Sequence, residues 1–386
     1  MRDTDKGLVD RRAALKGGAL MAGAALLAPV AVPPARASIG RRSISAPKDV
    51  GRLAKVDVTE QRVTGMIAGL RPYRPAGFVV RAETLGDKMV VHNYGHGGCG
   101  VTLSWGTADL AVRLAQESEH RRAAVIGAGA VGLATARLLQ DRGFEVTVYA
   151  AALPPHTTSN VAAAIFGVTA IADESAVTPG FREQLAHAAR YSHTAFQTYI
   201  GGDHNVRWIE FFLLGDQPVE LPWDFAVTPE LYKLRHYAPG ETSFASPHVA
   251  SFASMFIETH VYLRRLMADV EARGSRVVVR NLRSLEDVAA LPEPLVVNCA
   301  GLGARDLFGD TDMVPVKGQL TKILPQPEVD YVYLDPARDL YMFPRSDGIV
   351  LGGSHEEDVW STEPDKARAA EVMAGHQAIA AGLTER

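Results

Sequence analysis

Residues 122–149 read RAAVIGAGAVGLATARLLQDRGFEVTVY. Ala123–Ile126 is a short apolar run rich in branched side chains, the pattern of a buried parallel strand. Gly127, Gly129 and Gly132 follow in G-x-G-x-x-G spacing, and Leu133, Ala136 and Leu139 then recur at helical spacing. Gly143 stops that helix, and Glu145–Tyr149 reads as a second strand. The spacing predicts a βαβ unit whose glycines allow a tight turn, close approach to a pyrophosphate and tight helix–strand packing. Amides at the helix start, with the helix dipole, would meet the phosphates. Gly127, Ala128, Gly129, Ala130, Val131 and Gly132 are therefore the first candidate cofactor contacts. The second strand runs out into Ala150, Ala151 and Ala152, without the acidic residue that would hold ribose hydroxyls.

The chain around this unit has 386 residues, 47% apolar and 22% charged, with a net charge of −4. That length supports a large core and two domains. The mild acidity gives no basic footprint for nucleic acid. Asp10-Arg11-Arg12-Ala13-Ala14-Leu15-Lys16 is a twin-arginine pattern, followed by a weakly apolar stretch to Val32 and a small-x-small site at Ala35-Arg36-Ala37. Residues 1–37 are thus expected to be an export signal, sending the folded protein to the periplasm or outside the cell. Gly17–Val32 falls short of the ~20 apolar residues of a spanning helix, so no stable membrane span is expected once the signal is removed. The two cysteines, Cys99 and Cys299, each lie in an apolar or glycine-rich stretch and read as separate buried thiols. The twelve histidines show no metal-ligand spacing, and no metal is expected.

Ser38–Arg52 reads as linker, Ala54–Ala68 as strand-like, and Gly69–Pro75 as an extended turn stiffened by its prolines. Gly77–Glu83 and Lys88–Asn93 predict a hairpin, followed by a glycine-dense loop and a helix from Thr102 to Gln116. Downstream, Phe181–Ile200 and Phe252–Arg273 read as long helices, and Val206–Leu214, Arg276–Val279 and Leu295–Asn298 as strands. Val314–Ile323, Tyr331–Leu334, Leu340–Phe343 and Gly348–Gly352 predict an antiparallel sheet, and Pro364–Leu383 a closing helix. Alternating strands and helices with a strand-rich stretch predict an α/β chain, with a Rossmann-like cofactor domain interleaved with a mixed-sheet domain.

His92-Asn93-Tyr94-Gly95-His96-Gly97-Gly98-Cys99-Gly100, followed by Gly106 and Ala108, resembles the signature of the D-amino-acid oxidase family. Other stretches are similar to that family too: the GAGAVG fingerprint, Pro155–Ala163 with its Thr-rich start, Val297-Asn298-Cys299-Ala300-Gly301, Pro315-Val316-Lys317-Gly318-Gln319, Tyr341-Met342-Phe343-Pro344 before Leu351-Gly352-Gly353, and Gly69–Pro75 as G-x-R-P-x-R-P. In the family the last of these and the histidine–glycine signature close the chain; here they precede the nucleotide fingerprint. The resemblance therefore implies a circularly permuted order. Its implied division is a signal peptide at 1–37, a linker at 38–52, substrate-domain segments at 53–83, 168–267 and 313–386, and FAD-domain segments at 84–167 and 268–312.

The resemblance implies FAD as cofactor and a D-amino acid and dioxygen as small-molecule partners, with a homodimer allowed. Arg71 and Tyr341 would take the substrate carboxylate, since a planar fork of donors suits it, and Gly98 would offer its carbonyl to the amine. Gly97, Gly98, Cys99, Gly100, Val101 and Thr102 would lie against the flavin, and Thr157, Thr158 and Ser159 on the phosphate side. His92 and His96 read as packing residues. The implied reaction is oxidative deamination by hydride transfer to flavin, giving a 2-oxo acid, ammonia and hydrogen peroxide. The alternatives are a glycine-type or other amine oxidase, a D-amino-acid dehydrogenase with another electron acceptor, and an inactive binding protein.

Overall fold

A computed structural model of the chain describes residues 49–384. The export signal and most of the linker lie outside the described residues. Two sheets organise the rest. The smaller has six strands in the order β2 (Val79–Leu85), β3 (Lys88–Tyr94), β10 (Leu295–Asn298), β4 (Arg122–Ile126), β5 (Glu145–Ala150) and β9 (Arg276–Val279). All of its pairings are parallel except the β2–β3 hairpin. The hairpin is the one the alternation predicts, though β2 joins this sheet across the 83/84 boundary expected from sequence.

The larger sheet has nine strands. Its path begins at β1 (Val63–Tyr73) and continues through β11 (Val314–Ile323), β14 (Gly348–Gly352), β13 (Leu340–Arg345) and β12 (Tyr331–Asp335). It ends with β6 (Val206–Gly215), β8 (His248–Ile257) and β7 (Arg235–Tyr237), while β15 (Glu356–Glu357) pairs with β11. The sheet is mixed, because β12 runs parallel to β6.

Two readings are corrected. The stretch expected to be a turn, Gly69–Pro75, is mostly strand: β1 runs through Tyr73, paired with β11 from Val63 to Tyr73. Pro72 is tolerated because β1 lies at the sheet edge and faces Pro315, a pairing in which neither residue is asked for an N–H. The long helix expected from Phe252 begins only at Thr259, because Phe252–Ile257 completes a ten-residue ladder with β6. A short apolar run does not distinguish strand from helix by itself, and here the distant partner decides.

Five longer helices pack on these sheets: α1 (Ser104–Gln116), α2 (Ala130–Asp141), α3 (Pro179–Gln197), α4 (Thr259–Ala272) and α5 (Lys366–Ala381). Where α1 crosses α3 the backbones nearly touch, and the Gly106 amide donates to Ser192 Oγ at 2.8 Å. Val125, Leu133, Leu139, Val148, Leu263 and Leu266 are all buried in one core between the parallel sheet and its helices. On the nine-stranded sheet, Met342, Tyr333 and Leu351 face a second core beside Met373 of α5. Alternation then turns Tyr341 and Phe343 to the opposite face, where they border the first core. None of the helices among the described residues is long and apolar enough to cross a membrane.

Candidate functional site

Three alternate residues on one face of β1 tie the site together. The first is Gly69, where a Cβ would stand 3.1 Å from Val161 Cγ1, two residues beyond Ser159. The second is Arg71, whose Nη2 donates to the Tyr341 hydroxyl at 3.2 Å. The third is Tyr73, whose ring would meet a Cβ on Gly97 at 3.1 Å. One strand thus carries the phosphate-side segment, the predicted carboxylate pair and the glycine loop in succession. The tyrosine also donates to Asp173, which holds its ring in place.

Arg71 lies flat against Gly318 of β11: a Cβ there would be 2.6 Å from both Nη1 and Nη2. Tyr341 lies the same way against Gly352, with an added Cβ 1.9 Å from Cε2. The two glycines let the guanidinium and phenol lie low on the sheet, where any side chain at either position would collide with them. Arg71 Nη1 is buried and has no hydrogen-bond partner. Leaving such a donor unpaired costs about 1–3 kcal/mol or more, a cost an arriving carboxylate removes. Tyr341 accepts from Arg71, and its own proton has no acceptor among the described residues. Burial raises the pKa of this phenol, with the charge of Arg71 opposing. The hydroxyl therefore stays protonated and can donate to the same carboxylate. Tyr341→Phe removes that donor, and the expected result is ten- to hundredfold weaker binding of small carboxylate ligands. Ligand titration checks it, and unchanged affinities would remove Tyr341 from the site.

Gly352 is held from behind. Its carbonyl accepts from His376 Nε2 at 2.9 Å, while Tyr333 donates its hydroxyl to His376 Nδ1 at 2.6 Å. Burial drives the His376 pKa down to about 4 and that of His96 to about 3. A folded pKa below the unfolded value of about 6.5 gives stability that is full above pH 6.5 and is lost as the pH falls toward the folded pKa. Asp224, pushed up to about 6 by burial, acts in the opposite sense between about pH 6 and 4. The expected result is that His376→Asn loses less stability than the parent protein between pH 7 and pH 5, by about 2 kcal/mol. Thermal melts at the two values measure it; equal pH losses would contradict the buried neutral imidazole.

The nucleotide fingerprint folds as its spacing predicts. Gly127 sits at φ +110, outside the region open to L side chains, and a Cβ there would lie 2.4 Å from the Cys299 carbonyl. A Cβ on Gly132 would lie 2.0 Å from the Gly127 carbonyl, so the helix starts hard against the turn. Helix α2 begins at Ala130, whose amide donates to Ser159 Oγ at 3.0 Å. The next first-turn amides, of Val131 and Gly132, have no intrahelical acceptor. This cradle fits the pyrophosphate of a dinucleotide, with Ala128, Gly129 and Ser159 at its rim. Thr157 spends its hydroxyl on Asn160 Oδ1 at 2.8 Å, and Thr158 is exposed in the same short turn. Ala151 and Ala152 are exposed at the end of β5, with no polar side chain for ribose.

The glycine loop follows β3, and a segment that sequence reasoning missed crosses it. The Gly98 amide donates to the Ala170 carbonyl at 3.1 Å, and Cys99 Sγ donates to the Thr169 carbonyl at 2.7 Å. Thr102 Oγ1 donates to the carbonyls of Ile165 and Gly167, both at 3.2 Å. The side chains of Cys99, Val101 and Thr102 are buried, so this loop could meet a cofactor only through its main chain and its glycines. Gly98 is exposed and Gly100 half-buried. His92 bonds Asn298 at 3.1 Å, and His96 bonds Thr107 Oγ1 at 2.9 Å. Both are packing residues, as expected. Cys299 touches Thr135 Oγ1 at 3.6 Å, and burial pushes its thiol up to about 12. Gly318 and Gly352 stood inside recognised motifs, so strand alternation could have found them; nothing local marks Thr169 or Ala170.

Comparisons with known proteins agree with this geometry. A family model described as FAD dependent oxidoreductase, DAO, matches residues 122–385. A D-amino-acid oxidase from Rubrobacter xylanophilus is 33% identical over 258 residues, covering 65% of this chain and 75% of that protein. Human D-aspartate oxidase is 28% identical over 264 residues, covering 65% and 74%. Among solved structures, a glycine oxidase from Bacillus cereus shares the fold at a TM-score of 0.51 and 12% identity, over 67% of this chain and 78% of that one.

Proposed function

The chain belongs to the DAO family of FAD-dependent oxidoreductases, and from that premise we propose that it oxidatively deaminates D-amino acids. FAD is the cofactor of the family, and the cradle of Gly127, Gly132, Ala130 and Ser159 fits it. The observation that carries the substrate reading is the Arg71–Tyr341 pair, with one buried guanidinium nitrogen unpaired beside a phenol free to donate.

When bound, FAD supplies a two-electron acceptor. The chain's own work is positioning. Arg71 and Tyr341 grip the α-carboxylate through charge-assisted bonds, and Gly318 and Gly352 set their height on the sheet. Tyr73 and the Gly97–Gly98 loop bound the site further along β1. His96 is buried, neutral and committed to Thr107, and His92 is committed to Asn298, so neither is placed as a general base. Orientation of the substrate supplies the rate. The overall change converts amino acid, dioxygen and water to 2-oxo acid, ammonia and hydrogen peroxide. Peroxide and 2-oxo acid formed in equal amounts from D-alanine are the expected outcome. The 2-oxo acid without peroxide would favour a dehydrogenase with another acceptor, and turnover of glycine alone a glycine-type oxidase.

The proposal extends to chain order and location. The family-like segments at 69–75 and 92–100 precede the fingerprint, and the link from α1 to β4 is only Glu117–Arg121. We read this as a circular permutation that leaves the two interleaved domains intact. The twin-arginine pattern supports export to the periplasm or the outside, and a homodimer is compatible with the family.

A further inference from the structure

We propose that Tyr73 is a specificity-determining residue of this site: its ring, held in place by Asp173, limits how wide a carboxylate ligand of Arg71 can be. The inference rests on the carboxylate role of Arg71 and adds the residue that restricts what Arg71 accepts.

On its own face of β1, Arg71 has one neighbour on each side. On one side is Gly69, where an added Cβ would stand 3.1 Å from Val161 Cγ1. On the other is Tyr73, whose ring would stand 3.1 Å from a Cβ on Gly97. Successive residues on one face of a strand lie about 7 Å apart. A ligand paired with the free Nη1 of Arg71 therefore meets Val161 or Tyr73 as soon as it spreads along the strand. The Tyr73 end is the one beside Gly98, whose main chain is exposed.

A closed circuit of contacts fixes the ring. The phenol donates to Asp173, and the Asp173 amide donates at 2.8 Å to the carbonyl of Pro75, two residues beyond the tyrosine. Three residues back along the same segment, the Ala170 carbonyl accepts from the Gly98 amide at 3.1 Å. That carbonyl would stand 2.4 Å from a Cβ on Gly97, the glycine against which Tyr73 rests. Ala170 and Gly97 are both left-handed, at φ +52 and +51. For an alanine this is uncommon, and it persists where the surrounding contacts over-determine it. Burial, with the Asp173 carboxylate adding to it, raises the pKa of the phenol, so the proton that makes the bond stays in place. A ring tied at its tip and along one edge does not swing aside for a wider ligand.

The test titrates the purified flavoprotein calorimetrically with acetate and with phenylacetate, which differ by one benzylic ring and carry no amine to oxidise. In Tyr73→Ala the space of the phenol opens, and affinity for phenylacetate relative to acetate is expected to rise by about tenfold or more, the scale on which pocket walls discriminate. Tyr73→Phe and Asp173→Ala keep the ring and cut its anchor. Each should raise the same ratio several-fold, and the two together no further than either alone, because both remove one bond. A protein that is merely less stable weakens both ligands alike and leaves the ratio where it was. A parent-like ratio in Tyr73→Ala would overturn the inference while the carboxylate role stands, and a parent-like ratio in Asp173→Ala would overturn the part given to Asp173. Failure of the parent to bind either carboxylate would overturn it together with the reading of Arg71.

Discussion

Arg71→Ala is expected to lower kcat/KM for D-alanine by about a thousandfold while the protein keeps its flavin. Truncating one partner of a buried, hydrogen-bonded charge pair costs about 2–5 kcal/mol, and every 1.4 kcal/mol is about tenfold. Arg71 sits at the upper end for two reasons. Its Nη1 is buried and unpaired, so its desolvation is left uncompensated unless a ligand pairs with it. Its partner Tyr341 also loses the donor that orients it. The loss should survive in Arg71→Lys, because a single ammonium cannot reproduce the fork. A lysine variant that recovers most turnover would show that charge alone suffices, and an alanine variant with unchanged kcat/KM would remove the carboxylate role.

Gly127→Ala is expected to come through purification without flavin. The added methyl would stand 2.4 Å from the Cys299 carbonyl, a backbone atom that cannot swing aside. The residue would also have to hold φ +110, at a cost of about 1–3 kcal/mol. Relief must come from moving the turn between β4 and α2 away from the end of β10. That same turn carries the amides that would meet the phosphates. Absorbance of the purified variant reads the outcome, with flavin bands at the parent's level as the contradicting result. Ser159→Ala covers the case in which the glycine variant does not fold. It removes a hydroxyl whose oxygen accepts from the Ala130 amide at 3.0 Å and whose own proton is free to meet a phosphate, and it should weaken FAD binding several-fold, since one hydrogen bond contributes about 1 kcal/mol.

How far these features were legible depends on how local they are. The βαβ unit was plain in the sequence, because its glycines, helical repeat and flanking strands all lie within 28 consecutive residues and each specifies its own local conformation. The pairing of Arg71 with Tyr341 was legible only through motif resemblance: the two are 270 residues apart, and no periodicity joins them. The prolines at 72 and 75 suggested a turn, yet ten cross-strand partners on β11 impose a strand. Phe252–Ile257 suggested helix for a similar reason, since its ladder partner on β6 lies some 45 residues earlier, a separation no local window covers. Thr169 and Ala170 were missed because their contacts with Gly98 and Cys99 are made across about 70 residues by backbone groups, which carry no side-chain signature.

The central claim is that Arg71 and Tyr341 present a D-amino acid to bound FAD. The most direct measurement is the absorbance spectrum of the purified flavoprotein under anaerobic conditions, before and after adding D-amino acids and, separately, their L isomers. Flavin bands that bleach with the D set and stay unchanged with the L set are the predicted result. Flavin that remains oxidised with both, or that bleaches only with the L set, would contradict it.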